Sequence, residues 1–324
     1  MKRREFITLL GAAAATWPGA GWTRPSDRMP KMGVLLFAQQ DRQVIKPCLQ
    51  ELEALGYVDG KTVTIEYRDA QGDYGLLPEL AAELVKLGPD LIYSYGGEQA
   101  PIVKQATASI PIVVVVSNDP VASGLVTSLA RPGGNVTGVT YVHDQLAGKT
   151  IELLREVAPS VSRVAILWNP NHTDPEFRAT QRAAQALQIQ LQSLEVRQPA
   201  DFEGAFQAAV REQAEALIVV GSRIMFLHRQ RIGDFAAKSR LILVGTPKWL
   251  SGVGAALLTY GPNPVELQRR AASYVSKILK GAKPGDLPMQ QPTTFELVLN
   301  MKTARALGLE LPPTLIARAD EVIE

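Results

Sequence analysis

The stretch VVVVSNDPVASGLVTSLARPGGNVTGV, Val113 to Val139, decides the fold. An apolar β-branched run, Ile112 to Val116, reads as a strand and stops at Ser117-Asn118-Asp119-Pro120. Small residues follow. Arg131-Pro132-Gly133-Gly134 then reads as a structural turn before one more strand. Asp119 carries two readings. It can cap the chain from Val121 onward, or it can meet the ammonium group of a ligand, and the two are compatible.

Working outward, short apolar runs alternate with segments of helical period. Met32 to Phe37 is a buried strand. Val44, Cys48, Leu52 and Leu55 form one helical face closed by Gly56. Thr62 to Arg68 alternates as a strand does, and Leu76 to Leu87 is a helix ended by Gly88-Pro89. Leu91 to Ser94 is a strand, followed by a helix from about Gln99 to Ala108. Strands separated by helices imply parallel pairing with right-handed crossovers.

The same grammar returns roughly 130 residues later. Val164 to Trp168 answers the first strand and Phe177 to Leu187 the first helix. Gln190 to Arg197, Phe202 to Glu212, Ala216 to Val220 and Leu241 to Val244 answer the stations that follow. One open sheet of about ten parallel strands would be unusual. The expected fold class is therefore α/β, as two doubly wound parallel-sheet lobes in tandem. Leu257 to Gly261 is a further strand. Asn263 caps a helix with Pro264 at its first position, and Gly281 ends it. Leu267, Ala271, Tyr274, Val275, Ile278 and Leu279 make its buried stripe. A Pro-rich stretch, Lys283 to Pro292, precedes one more strand at Phe295 to Asn300 and a short helix ending at Gly308. These late returns imply a hinge that the chain crosses several times. The expected division is a signal over 1–29, lobe one over 30–141 plus 259–284, and lobe two over 142–258 plus 285–324.

At 324 residues and 46% apolar, the chain is long enough to give each lobe a core. Its formal charge of +2 is spread without any basic stripe interleaved with aromatics, so nucleic acid is not an expected partner. Cys48, the single cysteine, forms no internal disulfide and reads as a small buried hydrophobe. No Cys/His cluster has zinc spacing, so no metal is expected. Met1-Lys2-Arg3-Arg4-Glu5-Phe6 and the apolar run Ile7 to Ala15 read as a twin-arginine export signal, too short to span a bilayer. The segment after it, Pro18 to Trp22, lacks a clean Ala-x-Ala cleavage site. The mature protein is expected to be a soluble monomer in the periplasm.

Catalytic signatures are missing from the sequence. None of His143, His172 and His228 sits in a hydrolase or zinc-protease frame. His172 reads as a solvated loop residue and His228 as part of a basic helix face. His143 falls at the lobe junction, within reach of a ligand. Gly252-Val-Gly254 lacks the third glycine of a dinucleotide fingerprint, and no cofactor is expected.

Ligands of open α/β sheets sit outside the carboxyl ends of the strands. Those ends supply the candidate ligand-binding residues Phe37, Gln39, Ser94, Tyr95, Gly96, Gly97, Ser117, Asn118 and Asp119 from lobe one. Lobe two supplies Trp168, Asn169, Gly221, Ser222 and Thr246, and Tyr260 lies on the late strand. Phe37, Tyr95 and Trp168 would flank an apolar or aromatic part of the ligand. Helix N-termini and the glycines would receive a carboxylate.

These stretches resemble the substrate-binding proteins of ABC transporters with the type I periplasmic-binding-protein fold. The likeness is strongest to the branch whose better-known members bind aromatic amino acids, tryptophan and tyrosine. It rests on the signal Arg3 to Gly11, on Leu49 to Gly56, and above all on Ser117 to Val126 with Leu129 to Gly138. Ala147 to Leu154, Tyr260-Gly261-Pro262, Ile278 to Pro288 and Ala317 to Glu324 extend it over essentially the whole chain. Glu98 departs from the small residues usual in its loop, and Trp168 from the smaller aromatic or aliphatic residues common at its position. The resemblance implies a non-enzymatic protein that closes on a small molecule and docks on an ABC permease in the inner membrane. An amino acid leads as the ligand, with a nucleoside, a purine-like base or another small organic acid behind it. A sensor that presents its closed form to a membrane receptor, or an enzyme on the same scaffold, are the alternative readings.

Overall fold

The computed structural model describes residues 28–141, 146–172 and 175–324. Residues 1–27 of the expected export signal and His143 lie outside the described residues. The first half runs β1 (Lys31–Leu36), α1 (Asp41–Ala54), β2 (Thr64–Asp69), α2 (Leu77–Lys86), β3 (Leu91–Tyr95), α3 (Gln99–Ala106), β4 (Ile112–Val116) and β5 (Val136–Thr140). The second runs α4 (Leu146–Val157), β6 (Arg163–Trp168), α5 (Glu176–Ala186), β7 (Gln190–Glu195), α6 (Asp201–Arg211), β8 (Ala216–Val219), α7 (Arg223–Leu227), α8 (Arg229–Lys238) and β9 (Ile242–Gly245). Then come β10 (Ala256–Pro262), α9 (Pro264–Leu279), β11 (Phe295–Asn300), α10 (Met301–Leu307), α11 (Pro313–Ile316) and β12 (Glu321–Ile323).

The first sheet has the order β2-β1-β3-β4-β5, all parallel. The second has the order β12-β11-β10-β9-β8-β6-β7. Its parallel part, β7-β6-β8-β9-β10, repeats the strand order of the first sheet station by station. The tandem repeat in the sequence is thus a repeat of topology. β11 adds antiparallel to β10, and β12 pairs parallel with β11.

β4 shows why its sequence has no polar alternation. Val113 and Val115 enter one core cluster, and Val114 and Val116 enter the cluster on the opposite face. Beside it, Gly138 has φ 143°, and a Cβ there would collide with the Val114 carbonyl, so β5 reaches β4 through a glycine. α9 lays Leu267, Ala271, Tyr274 and Val275 on the first sheet, together with Ile45, Cys48 and Leu52 of α1. Asn263 caps α9 by accepting from the N–H groups of Val265 (2.8 Å) and Glu266 (3.2 Å).

The crossings fall later than the expected division. Thr259 to Pro262 stay in the second sheet, because β10 remains paired with β11 up to Pro262. The segment after α9 stays with the first sheet beyond residue 285. Thr137 Oγ1 donates to the Leu287 carbonyl, Met289 N–H donates to Leu129, and Gln290 bridges Val139. The chain returns to the second sheet between Gln290 and Phe295. No helix among the described residues is long and apolar enough to cross a membrane.

Candidate functional site

A cleft of about 520 Å³ lies where the carboxyl ends of the two parallel sheets meet. That volume falls within the roughly 300–1,000 Å³ usual for small-molecule sites. One wall is Val44 and Pro47 of α1, the loop after β3, and Ser117 after β4. The other is the start of α5, Gly221 to Arg223 after β8, and Thr246 to Trp249 after β9. Pro262 to Val265, where the chain crosses into α9, forms part of the lining.

Charged contacts span the cleft. Asp41 opens α1 and is fully buried. One of its oxygens accepts from Phe37 N–H (2.9 Å) and Ala38 N–H (3.2 Å), and the other meets Arg223 Nη1 from the opposite lobe. Burial pushes the Asp41 carboxyl above its ordinary range, with the Arg223 charge opposing. The second link joins Glu98 to His172. The imidazole is 4% exposed, its Nδ1 lies 3.3 Å from Glu98 Oε1, and its Nε2 lies 3.1 Å from Ser117 Oγ. Glu98 also accepts from Arg223 N–H at 3.3 Å. Burial works against the Glu98 charge, yet the bonds from His172 and Arg223 outweigh it and hold the carboxyl below its usual value. The reading of His172 as a solvated loop residue is corrected here: packing against Ser117 and Glu98 removes it from water.

Further round the cleft, Thr246 Oγ1 donates to both oxygens of Glu176 (3.0 and 3.1 Å). Lys248 pairs with Glu296 and, at 3.5 Å, with Glu321. Burial alone would lower its pKa, but the two carboxylates raise it. Tyr95 hydrogen-bonds Tyr141, and burial pushes the Tyr95 phenol up to about 12, so it stays neutral at neutral pH. Phe226 and Trp249 meet edge-on with centroids 5.8 Å apart.

Six of the expected residues line the cleft: Tyr95, Gly96, Ser117, Gly221, Ser222 and Thr246. The other nine lie behind or beside it. Phe37 is buried against Tyr74, with ring centroids 4.3 Å apart. Gln39 is exposed and uses its carbonyl to start the α1 turn. Ser94 is fully buried in β3. Gly97 and Asn118 pack together, Asn118 Nδ2 donating to the Gly97 carbonyl. A Cβ on Gly97 would sit 2.8 Å from both Asn118 and His172. Asp119 caps the turn it begins, accepting from Val121 N–H (2.8 Å) and Ala122 N–H (3.1 Å). Trp168 stacks flat on Phe177 at 4.0 Å and donates to Ser193 Oγ (2.8 Å), so strand-edge packing claims it. Asn169 accepts from Asn171 N–H, and Tyr260 packs on Phe295. The aromatic walls are instead Tyr95, Tyr141, Phe226 and Trp249. Asp41, Glu176, Arg223 and Lys248 were also absent from the expected set. A charged residue in the segment that follows a strand's carboxyl end was their only signal in the sequence. Among the described residues no group of three or more His, Cys, Asp or Glu side chains is placed to hold a metal ion.

Two doubly wound lobes around a solute-sized cleft define the type I periplasmic-binding-protein class. Residues 34–323 match the model of the ABC transporter substrate binding protein family, and the chain belongs to that family. It is 25% identical, over 268 residues, to the tyrosine-binding protein of Clostridioides difficile strain R20291, covering 82% of this chain and 76% of that protein. A conserved domain protein from Vibrio cholerae O1 biovar El Tor superposes with a TM-score of 0.85 at 26% identity, covering 91% of this chain and all of that one. The ABC domain from Streptococcus pneumoniae in complex with L-Trp gives the same TM-score and coverage at 24% identity, a likeness of fold. The family is one of substrate-binding proteins, not of enzymes.

Proposed function

We propose that the protein captures an aromatic amino acid in its inter-lobe cleft and delivers it to an ABC permease. The observation that carries this is the cleft itself: Tyr95, Tyr141, Phe226 and Trp249 in its wall, with polar groups gathered at the strand ends. The tyrosine-binding relative supports the same ligand class. Both walls come from one chain, which suits a protein that works as a monomer. Closure follows if the ligand bridges the lobes, since only then does it favour the closed state over the open one. The twin-arginine sequence before Pro30 supports export to the periplasm.

Thermal unfolding of the purified protein tests this, after a cycle of denaturation and refolding to strip carried-over ligand. Tyrosine, tryptophan and phenylalanine are compared with aliphatic amino acids, nucleosides and organic acids. A ligand at about a hundred times its dissociation constant stabilises by about 2.7 kcal/mol. A dose-dependent shift confined to aromatic amino acids supports the reading. A shift with another class alone, or with none, overturns it.

A further inference from the structure

Arg223 has one side of its guanidinium engaged and the other idle. Nη1 meets Asp41 across the cleft, and the main-chain N–H donates to Glu98. Nε and Nη2 are buried and have no acceptor, although the side chain is only 8% exposed. The rings of Phe37 and Phe226 lie 5.1 and 5.6 Å from the guanidinium carbon and help hold its plane. The preceding residue repeats the pattern. Ser222 is 6% exposed, and its Oγ is buried without a hydrogen-bond partner. Both residues line the cleft. Buried donors are nearly always paired, and an unpaired one on a charged group is especially costly.

The chemistry of the missing acceptor can be read from the atoms left over. Nε and Nη2 share one edge of the guanidinium, and a carboxylate spans such an edge with both oxygens. Ser222 Oγ, on the adjacent residue, adds a third donor. The acids nearby limit the charge that fits. Asp41 already sits on Arg223, and Glu98 is a bond away. A phosphate or sulfate dianion would add two negative charges beside them, whereas the single charge of a carboxylate adds one. In a zwitterion even that is balanced by the ligand's own ammonium.

We infer that Arg223 and Ser222 form a carboxylate pole in the cleft, so that the protein selects ligands carrying a free carboxylate group. This rests on the proposed capture of a small solute and names the end of it that is recognised. Asp41 fixes the guanidinium by its far side, which leaves the Nε–Nη2 edge presented to the ligand.

Calorimetric titration of the ligand-stripped protein tests the pole with matched probes. These are L-tyrosine against tyramine, L-tryptophan against tryptamine, and L-leucine against isoamylamine, with each amino acid amide as a neutral isostere. The wild type should prefer the carboxylate member of a pair by about tenfold to a hundredfold, the range for a charge-assisted hydrogen bond. Arg223→Lys keeps the cation for Asp41 but removes the bidentate edge, and should cut that preference to a few-fold. Ser222→Ala should weaken the carboxylate ligands while leaving the amines unchanged, and it does not touch the Asp41 pair. Carboxylate preference with leucine but not with the aromatic pairs would refute the aromatic reading and uphold the pole. Equal binding within every pair that binds, a preference untouched by Arg223→Lys, or a panel in which no carboxylate binds would overturn the pole.

Discussion

The substitution Asp41→Asn separates closure of the lobes from folding of the chain. The carboxylate is fully buried and faces an arginine side chain only 8% exposed. In the closed arrangement a neutral amide at this position would leave the Arg223 charge buried without its anion. Breaking a buried pair in this way costs about 3–5 kcal/mol. The pair joins two lobes, however, so opening the cleft rehydrates Arg223 without unfolding anything. The cost should therefore appear mainly in the equilibrium between open and closed forms. At about 1.4 kcal/mol per factor of ten, that is at most roughly a hundredfold to a few thousandfold toward open. Affinity for a ligand that requires closure should fall by up to the same factor. Within lobe one the loss is smaller, because an amide oxygen can still accept from Phe37 and Ala38 N–H, and about 1 kcal/mol of unfolding free energy should go. Small-angle scattering, ligand titration and denaturant midpoints read the three quantities separately. A full drop of about 3–5 kcal/mol in unfolding free energy with an unchanged radius of gyration would refute this reasoning. It would mean that Arg223 cannot reach water by opening.

Asp119→Ala should lower stability by about 1 kcal/mol through loss of the Val121 and Ala122 cap, with affinity for the cleft ligand unchanged; a selective loss of affinity in a stable variant would restore Asp119 as a ligand contact. Asn263→Ala should cost about 1 kcal/mol in urea unfolding, and Asn263→Asp should recover most of it, as capping by the side-chain oxygen requires. Glu98 is held below its ordinary 4.5, so its contribution is complete above that pH and is lost as pH falls through the lowered folded value. Wild-type stability should fall more steeply than that of Glu98→Gln below pH 4.5, and parallel curves across the acid range would rule this out. Glu98, His172 and Ser117 stand in the order of a hydrolase relay, but on a binding protein they should serve only as a link between lobes. Turnover of p-nitrophenyl acetate should match that of Ser117→Ala, and an excess in the wild type would contradict the non-enzymatic reading.

The fold was legible because each strand announces itself locally. Ile112 to Val116 and its counterpart Leu241 to Val244 are apolar runs bounded by turn residues, and the regular offset between such pairs exposed the repeat. β12 escaped notice, since Glu321 to Ile323 is three residues long and depends on β11 for its pairing. The site was legible only as a set of strand ends. Tyr95, Ser117 and Ser222 could be placed at a cleft by topology alone. Which aromatic residues face it could not, because Trp168 and Phe37 find their partners Phe177 and Tyr74 by packing. The charged links were hidden for a related reason. Asp41 and Arg223 are far apart in sequence, and neither has a local pattern that marks it as buried.

The matching strand orders give those links a symmetry. Asp41 follows the first strand of its sheet and Arg223 the strand that corresponds to β3. Glu98 follows β3 and His172 the strand that corresponds to β1. Each lobe thus offers its partner the same two loops, in the reciprocal manner of an isologous dimer interface. The charges break the equivalence: both acids belong to the first lobe and both bases to the second. Two copies of the first lobe brought together this way would set carboxylate against carboxylate, and two copies of the second arginine against histidine, with no acid between them. A fold that could in principle pair with its own like is restricted, by four side chains, to embracing its other half.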